Sequence, residues 1–236
     1  MSKKIAIQGE LGAYSHIAAE NLYAGAEIKT CTTFEETFKQ AYNDQNYKIV
    51  IPIENSLAGR VADIHYLLPK YKLQIHGEYF QTVEHNLLCK QDATIDDIKY
   101  VRSHAQAIGQ CQNIINKRKF KSIVSADTAG SAKELAEGKD KSIAAIASEL
   151  SAKIYNLKIL EKNIEDEKGN VTRFLIMGKK IEQPEFKSNK NYITIAKKSA
   201  AKQIEELKKI NKVFNSAFIK AVESIYKCRG KVICAG

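Results

Sequence analysis

The 236 residues are 44% hydrophobic and 27% charged, a composition typical of a globular chain of one or two domains. No apolar run approaches about 18 residues, so no membrane-spanning helix is predicted, and five widely spaced cysteines without a CxxC pair argue against a zinc ribbon or a secreted disulfide framework. The formal charge of +10 is unevenly distributed, because residues 1–180 have a net charge of +3 and residues 181–236 a net charge of +7.

Short apolar runs alternate with helical patterns along residues 4–177. Strands are predicted at Lys4–Gln8, Lys48–Ile53, Ile75–Leu88 (two strands around a bend), Tyr100–Arg102, Ser122–Ser125, Ser142–Ala145 and Thr172–Met177. Helices are predicted at Ser15–Tyr23, Thr33–Asn43, Ala62–Leu68, Ala105–Asn116, Thr128–Glu137 and Ser148–Tyr155. This alternation predicts βαβ units, a largely parallel sheet and an α/β fold. The opening MSKKIAIQGE lacks the apolar core of a signal peptide, so a cytoplasmic location is expected.

One local arrangement recurs four times, in IAIQGELGAYSH, IVIPIENSLAGR, YVRSHAQA and VSADTAGSA. In each, a strand ends, a small polar residue follows and a helix begins. Any single case is an ordinary helix cap. In an open α/β sheet, however, such turns gather at the carboxyl edge, where helix N-termini attract anions. The four turns together predict a cleft for a small organic anion with more than one negative charge.

Thr172, Arg173 and Phe174 begin the last predicted strand of the body. The guanidinium of Arg173 is suited to bind a carboxylate in a bidentate manner, although an ion pair with Glu165, Asp166 or Glu167 is the simpler alternative. The Thr172 hydroxyl is placed to hydrogen-bond a leaving oxygen. Phe174 either walls a pocket or packs in the core, and core packing is preferred.

Glu54, Asn55 and Ser56 follow the apolar run KIVIPI. A carboxylate, an amide and a hydroxyl at the end of a buried strand are costly unless something pairs with them. This cluster is therefore a candidate ligand site.

A second polar cluster consists of Ser103 and His104 with Gln106 and Gln110, the two glutamines lying on one helix face. His104 is a candidate general acid or base, or else a helix cap. The sequence contains no GxxxxGK[ST], HExxH, GxSxG or GxGxxG motif. The other histidines, His16, His65, His76 and His85, lack metal-ligand spacing, and no metal is predicted.

These segments resemble the catalytic domain of prephenate dehydratases over residues 4–179. The matching segments are QGELGAYSHIAAE, PIENSLAGRV followed by ADIHYLL, HNLL, RSHAQAIGQC, DTAGSA, AAIAS and NVTRF. The ENS and TRF segments are the most specific of these. One departure is Ala105, which stands where the family usually has proline.

The resemblance implies a fold like that of type II periplasmic binding proteins, with two α/β lobes and the active site in the cleft between them. Residues 1–180 would form this domain, with 1–78 and 159–180 in one lobe and 79–158 in the other. The family's reaction is the decarboxylative dehydration of prephenate to phenylpyruvate on the route to phenylalanine, without a metal or organic cofactor. The family commonly forms homo-oligomers, so a dimer or tetramer is expected.

The resemblance also implies roles for individual residues. Thr172 would hydrogen-bond the departing hydroxyl, and Asn55, Ser103 and Gln110 occupy positions associated with substrate orientation and activity. The residues expected around the substrate are Arg173, Ser56, Thr128, Glu54, His104 and Phe174. An arogenate dehydratase remains an alternative, as does a non-catalytic binding module for small anions on the same fold.

The segment after Lys180 departs from the family pattern. Most relatives continue into a phenylalanine-binding ACT domain, and no such domain is predicted here. Residues 181–190 resemble a linker, and 191–236 resemble the helical start of an arabinose-5-phosphate isomerase, ending before its phosphate-binding loop. Nucleic-acid binding by this basic segment rests only on its charge, and a solvated helix face is the simpler interpretation, so neither nucleic acid nor membrane is an expected partner.

Overall fold

The computed structural model describes residues 3–179 and Lys220. The predicted linker over 181–190 and the isomerase-like segment over 191–236 lie outside the described residues, apart from Lys220. No helix in the described part of the chain is long and apolar enough to cross a membrane.

Eleven strands are arranged in two sheets within residues 3–179. The first sheet contains β1 (Lys4–Gln8), β2 (Glu27–Cys31), β3 (Tyr47–Asn55), β4 (Gly59–Arg60), β5 (Gln74–Thr82) and β11 (Val171–Gly178). The second contains β6 (Asn86–Cys89), β7 (Tyr100–His104), β8 (Lys121–Ser125), β9 (Ile143–Ala147) and β10 (Lys158–Glu161). The helices are α1 (Tyr14–Leu22), α2 (Phe34–Asn43), α3 (Ala62–Tyr71), α4 (Ala105–Gly109), α5 (Gln112–Arg118), α6 (Thr128–Glu137) and α7 (Glu149–Ile154), with a 3-10 turn at Ile95–Asp97.

Both sheets are mixed rather than largely parallel. The first has the order β2-β1-β3-β11-β5, in which β2, β1 and β3 run parallel and β11 is antiparallel to both of its neighbours. The second has the order β10-β6-β9-β7-β8, with a parallel part formed by β9, β7 and β8. β6 and β11, the strands that directly follow the two passages between the sheets, are antiparallel to both of their neighbours.

The chain passes from one sheet to the other twice. It leaves the first sheet between Thr82 and Asn86, and it returns between Glu161 and Val171. The two passages are hydrogen-bonded to each other, since the backbone N–H of Val83 donates to the Asn170 carbonyl at 2.8 Å. These sheet boundaries lie several residues beyond the lobe boundaries predicted at 78/79 and 158/159, because β5 continues to Thr82 and β10 belongs to the second sheet.

Apolar residues fill both faces of each sheet. In the first sheet, one face packs around Phe38 and Ile64, and the other around Phe174 and Ala18. The strands β2, β4 and β10 were not predicted from the sequence. β2 and β10 are partly buried strands at sheet edges. Without burial on a face, an edge strand has only a weak hydrophobic pattern.

The helix predicted over Ala105–Asn116 is two helices, α4 and α5. Asp166 stabilises the break, because its carboxylate accepts hydrogen bonds from the backbone N–H groups of Gln112 (2.8 Å) and Asn113 (3.0 Å). Its own N–H donates to the Gln110 carbonyl at 2.7 Å. The acidic loop that follows β10 therefore caps a helix more than 50 residues earlier in the sequence.

Gly12 lets the loop between β1 and α1 approach α7 of the second lobe. Its φ of +90° is in the left-handed region, and a Cβ at this position would collide with Ser151. The Gly12 carbonyl accepts hydrogen bonds from the hydroxyls of Ser148 (2.6 Å) and Ser151 (3.1 Å). This contact joins the two lobes beside the turn that leads into α1.

Candidate active site

A cavity of about 510 Å³ lies between the two sheets. All four strand-to-helix turns singled out in the sequence contribute to its lining, through Tyr14 and Ser15, Arg60 to Asp63, His104 and Gln106, and Asp127 and Thr128. Three helices of nine or ten residues, α1, α3 and α6, begin at this cavity. The N-termini of α1 and α3 have no side-chain cap, and free N–H groups at such positions favour anions. The Asp127 carboxylate caps α6 by accepting from the Gly130 N–H at 2.6 Å.

Asn55 links the end of β3 to the start of β11, where it lies in register with Thr172. Its Oδ1 accepts hydrogen bonds from the backbone N–H groups of Leu57 (3.0 Å) and Ala58 (2.8 Å). Its Nδ2 donates to Thr172 Oγ1 at 2.9 Å and to Asn170 Oδ1 at 2.6 Å. Asn55 and Thr172, both predicted site residues, are thus in direct contact at the cavity wall.

Thr172 and Phe174 line the cavity, and Arg173 between them does not. Successive side chains of a strand point to opposite faces. Arg173 therefore lies on the far side of β11, where it forms an ion pair with Glu78 of β5 at 2.6 Å and stacks over Phe80. The prediction that Arg173 binds a ligand carboxylate in this cleft disagrees with the structure. Arg173 does form an ion pair, but its partner is Glu78 and not Glu165, Asp166 or Glu167. Phe174 is almost fully buried and belongs to the core as well as the cavity wall.

Ser103 and His104 are adjacent on β7, so their side chains also point to opposite faces of the strand. Ser103 is fully buried, and its Oγ donates to the Ile146 carbonyl of β9 at 2.6 Å, away from the cavity lining. The structure thus gives Ser103 a structural position rather than a cavity-facing one. His104 does line the cavity, and its Nδ1 caps α4 by accepting from the Gln106 N–H at 3.3 Å.

Of the remaining predicted residues, some line the cavity and others do not. Thr128, at the first position of α6, lines the cavity, as does Gln110. Glu54 is exposed on β3, and Ser56 bonds across to β11 by accepting from the Val171 N–H at 3.0 Å. Neither Glu54 nor Ser56 is among the described residues that line the cavity.

Sequence reasoning missed three polar lining residues that contact each other or Gln110. His85 Nε2 lies 2.9 Å from Gln110 Oε1, and Asn170 Nδ2 donates to the same oxygen at 2.9 Å. The hydroxyl of Tyr14 lies 3.0 Å from His85 Nδ1 and 2.6 Å from the Glu84 carbonyl. All three residues stand within motifs already noted, QGELGAY, HNLL and NVTRF, but nothing in one sequence shows that distant polar residues meet.

Arg60 is the fourth missed residue. Among the lining residues of the described chain, it alone is a lysine or arginine. It lies on β4, opposite Glu54, and comes directly before the N-terminus of α3. Arg60 is therefore the arginine of the described cavity lining, where the sequence analysis expected Arg173, and its place in the segment ENSLAGR was the available signal.

Burial sets the charge states of the two missed aromatic residues. It raises the pKa of Tyr14 well above its ordinary value, so the phenol stays protonated. It lowers the pKa of His85, against the opposing effects of the hydrogen bond to Gln110 and the charge of Glu165. The site thus contains a neutral phenol and, at neutral pH, a neutral imidazole.

The free energy of unfolding is expected to decrease as the pH falls below about 6.5, the ordinary histidine pKa. Burial also lowers the pKa of His16, and in this range the unfolded chain binds protons at both imidazoles while the folded chain does not. Denaturant unfolding between about pH 7.5 and pH 5.5 measures this slope, and His85→Gln should reduce it. A stability that is constant or increases over this range would contradict the buried, neutral state of His85.

The arrangement suits a small anion whose reaction needs orientation and hydrogen-bond donors. Arg60 and the uncapped N-termini of α1 and α3 attract an anion, the carboxylates of Asp63 and Asp127 also line the cavity, and Thr172 and Gln110 are uncharged polar groups on its wall. No group of three or more His, Cys, Asp or Glu residues within the described part of the chain is arranged to hold a metal ion.

The family model described as prephenate dehydratase matches residues 5–182. An Arabidopsis thaliana arogenate dehydratase/prephenate dehydratase is 40% identical over 176 residues, which cover 75% of this chain and 46% of that protein. The prephenate dehydratase of Methanocaldococcus jannaschii is 38% identical over 198 residues, covering 81% of this chain and 70% of that protein. This chain spans about half the length of several curated relatives that it matches.

Among solved structures, the prephenate dehydratase of Staphylococcus aureus superposes with a TM-score of 0.65 at 28% identity, covering 76% of this chain and 67% of that one. A chain described as a novel type of quorum-quenching acylase superposes with a TM-score of 0.71 at 39% identity, covering 76% of this chain and 65% of that one. These similarities confirm the predicted α/β fold class.

Proposed function

Since the chain belongs to the prephenate dehydratase family, we propose that it is a carbon–oxygen lyase that converts prephenate to phenylpyruvate in phenylalanine biosynthesis. The observation that carries this proposal is the Asn55–Thr172 pair, hydrogen-bonded at 2.9 Å on the wall of a cavity that contains Arg60 and several helix N-termini. Family membership supports the reaction, and the geometry supports the roles proposed for the individual groups.

Prephenate carries two carboxylates, and the cavity offers two kinds of partner for them. Arg60 provides a charged, bidentate donor, and the uncapped N-termini of α1 and α3 provide backbone N–H groups. Binding both carboxylates would orient the substrate relative to Thr172, and such orientation is a large part of the rate enhancement available to a reaction of this kind.

The reaction breaks two bonds of the substrate. The electrons of the bond to the ring carboxylate move into the ring as carbon dioxide leaves, and the ring hydroxyl departs with its bonding pair. The ring becomes aromatic, so no strong base is required. Negative charge develops on the departing oxygen, and a hydrogen bond from Thr172 Oγ1 would stabilise it. Thr172 is therefore the proposed catalytic residue, with Asn55 and Gln110 orienting the groups around it.

The test is turnover by the purified full chain, followed as phenylpyruvate formed from prephenate near neutral pH. We expect saturable turnover well above that of the spontaneous reaction. Saturable binding by calorimetry without turnover would instead favour the non-catalytic binding module. The expectations of a dimer or tetramer and of a cytoplasmic location remain predictions.

Arogenate is the second candidate substrate, because an ammonium group replaces the keto oxygen of its side chain. The observation that favours it is Asp63, a carboxylate in the cavity lining that is suited to pair with an ammonium group. Comparing kcat/KM for the two compounds decides between them, and Asp63→Asn should reduce the ratio of arogenate to prephenate turnover if arogenate is the substrate.

A further inference from the structure

A chain of side-chain hydrogen bonds crosses the cavity wall and joins the two lobes. We call it the amide relay: Asn55, Asn170, Gln110 and His85. Its first end is held by backbone groups, because Leu57 N–H and Ala58 N–H both donate to Asn55 Oδ1, at 3.0 and 2.8 Å. A backbone N–H cannot accept a hydrogen bond, so Asn55 has its oxygen on this side and its NH₂ group on the other.

This end determines the orientation of the next two amides. The Asn55 NH₂ group donates to Asn170, which must therefore present its oxygen to Asn55 at 2.6 Å. The Asn170 NH₂ group then faces Gln110 at 2.9 Å, so Gln110 presents its oxygen as well. An amide has donors at one end and acceptors at the other, and reversing any one of the three would place donor against donor.

The second end of the relay is an imidazole. Gln110 Oε1 lies 2.9 Å from His85 Nε2. Because that oxygen is an acceptor only, Nε2 must carry a hydrogen. The pKa of His85 is lowered by burial, so the ring is neutral at neutral pH and Nδ1 is its unprotonated nitrogen. Nδ1 lies 3.0 Å from the Tyr14 oxygen, whose hydrogen is donated to the Glu84 carbonyl at 2.6 Å, so the direction of the relay is set from the Asn55 end and not by Tyr14.

We propose that Asn170 and His85 are positioning residues that hold the amide relay in one donor direction, so that Thr172 and Gln110 present hydrogen-bond donors to the substrate. For its consequence in catalysis, this proposal rests on the proposed prephenate dehydratase function. Asn170 and His85 also line the cavity, and the proposed role is the one they have through their hydrogen bonds to Asn55 and Gln110.

The relay leaves the Thr172 hydroxyl hydrogen available. Thr172 Oγ1 already accepts from Asn55 Nδ2 at 2.9 Å, and no hydrogen bond donated by this hydroxyl is found among residues 3–179. Thr172 lines the cavity, so a ligand oxygen there would be its acceptor. A reversed Asn55 would offer an oxygen to Thr172 and draw this hydrogen away from the substrate.

Gln110 also keeps a hydrogen-bond donor available for a ligand. Its Oε1 is occupied by Asn170 and His85, and within the described part of the chain its NH₂ group has no hydrogen-bond acceptor. The relay therefore yields two oriented donors on the cavity wall. Donors that are already oriented stabilise a developing negative charge without the cost of reorganisation during the reaction.

The tautomer of His85 tests the direction of the relay independently of turnover. We would label the full chain with ¹⁵N-histidine and assign the His85 signals by their absence in His85→Gln. Nitrogen chemical shifts above neutral pH should show a protonated Nε2 and an unprotonated Nδ1. A protonated Nδ1 with an unprotonated Nε2 would overturn the proposal.

Kinetics test the role in positioning. Asn170→Ala should lower kcat about tenfold to a hundredfold with a much smaller change in KM, as for a group that aligns a catalytic side chain. If Asn170 acts mainly through Thr172, the same substitution in a Thr172→Ala background should have a clearly smaller effect on kcat. Equal factors in the two backgrounds, with kcat corrected for the folded fraction, would overturn the positioning role.

Asn170→Asp tests the hydrogen bond from Asn55 to Asn170 separately from the hydrogen bond from Asn170 to Gln110. Aspartate still accepts from Asn55 but cannot donate to Gln110, so the Gln110 end should lose its orientation while Asn55 keeps its own. We expect a larger rise in KM relative to the loss of kcat than in Asn170→Ala. Identical kcat and KM values for the two variants would show that the hydrogen bonds of Asn170 to Asn55 and to Gln110 do not have separate effects, and would contradict this part of the proposal.

Failure of the proposed function is distinguishable from failure of the relay. Absence of prephenate turnover by the unsubstituted chain would reject the function, and the His85 tautomer would still decide the direction of the relay. Turnover combined with a protonated Nδ1 and an unprotonated Nε2 would leave the function standing and reject the relay.

Discussion

Thr172→Ala is expected to lower kcat for prephenate about 10²- to 10³-fold, the range seen when one hydrogen-bond donor to a developing oxyanion is removed. The hydroxyl contacts the reacting oxygen only as charge develops, so KM should change much less than kcat. Unfolding should remain cooperative, because Asn55 Nδ2 keeps its bond to Asn170 at 2.6 Å when the Thr172 oxygen is lost.

Thr172→Ser is the matched control, since it keeps the hydroxyl and removes only a methyl group. It should retain activity within about tenfold of the unsubstituted chain, the difference reflecting a less restricted χ1. Steady-state kinetics and denaturant unfolding on the three proteins provide the comparison. Near-full activity in Thr172→Ala, or equal losses in the alanine and serine variants, would refute the hydroxyl's role.

Arg60→Gln is expected to lower kcat/KM about tenfold to a hundredfold, mainly through a rise in KM. A hydrogen bond to a charged group contributes about 1.5–3 kcal/mol, and each 1.4 kcal/mol is about tenfold in affinity. The effect should be at the lower end of this range because Arg60 is exposed in the structure without a ligand. Raising the ionic strength should increase KM for the unsubstituted chain more than for the variant.

Arg118→Gln is the control for loss of one positive charge. Arg118 pairs with Glu161 on the second lobe at 3.0 Å and does not line the cavity. An exposed ion pair contributes about 0–1 kcal/mol to stability, so this variant should keep the kinetic constants of the unsubstituted chain. If the two variants had the same KM, Arg60 would not bind a substrate carboxylate.

Local patterns were sufficient to predict much of the secondary structure. The predicted bounds of β1 and α6 agree with the structure, because β1 is a short strand with a buried centre and α6 begins at an aspartate cap. The patterns failed where a helix boundary or a strand depends on residues that are distant in the sequence or on tertiary burial. The break between α4 and α5 depends on Asp166, and the partly buried edge strands β2 and β10 have too little apolar contrast to detect.

The sequence likewise predicted only some of the residues that line the candidate site. Asn55, Gln110, His104, Thr128, Thr172 and Phe174 were predicted from the sequence and line the cavity, whereas Ser103, Arg173, Glu54 and Ser56 do not. Pairs of neighbours such as Ser103–His104 and Thr172–Arg173 were predicted as units. A strand places adjacent side chains on opposite faces, so only one residue of each pair reaches the cavity.

The sequence by itself determined most of the strands and helices, the four turns that begin helices at the cavity, and the resemblance to the family. These depend on residues close together in the chain, through periodicity, capping and short motifs. Only the tertiary structure decided which strand face meets the cavity and which distant residues meet there. Arg60 replaced Arg173 as the cavity's arginine, and His85, Gln110 and Asn170 came into contact, because hydrogen bonds between residues 25 to 60 positions apart form only once both lobes are folded.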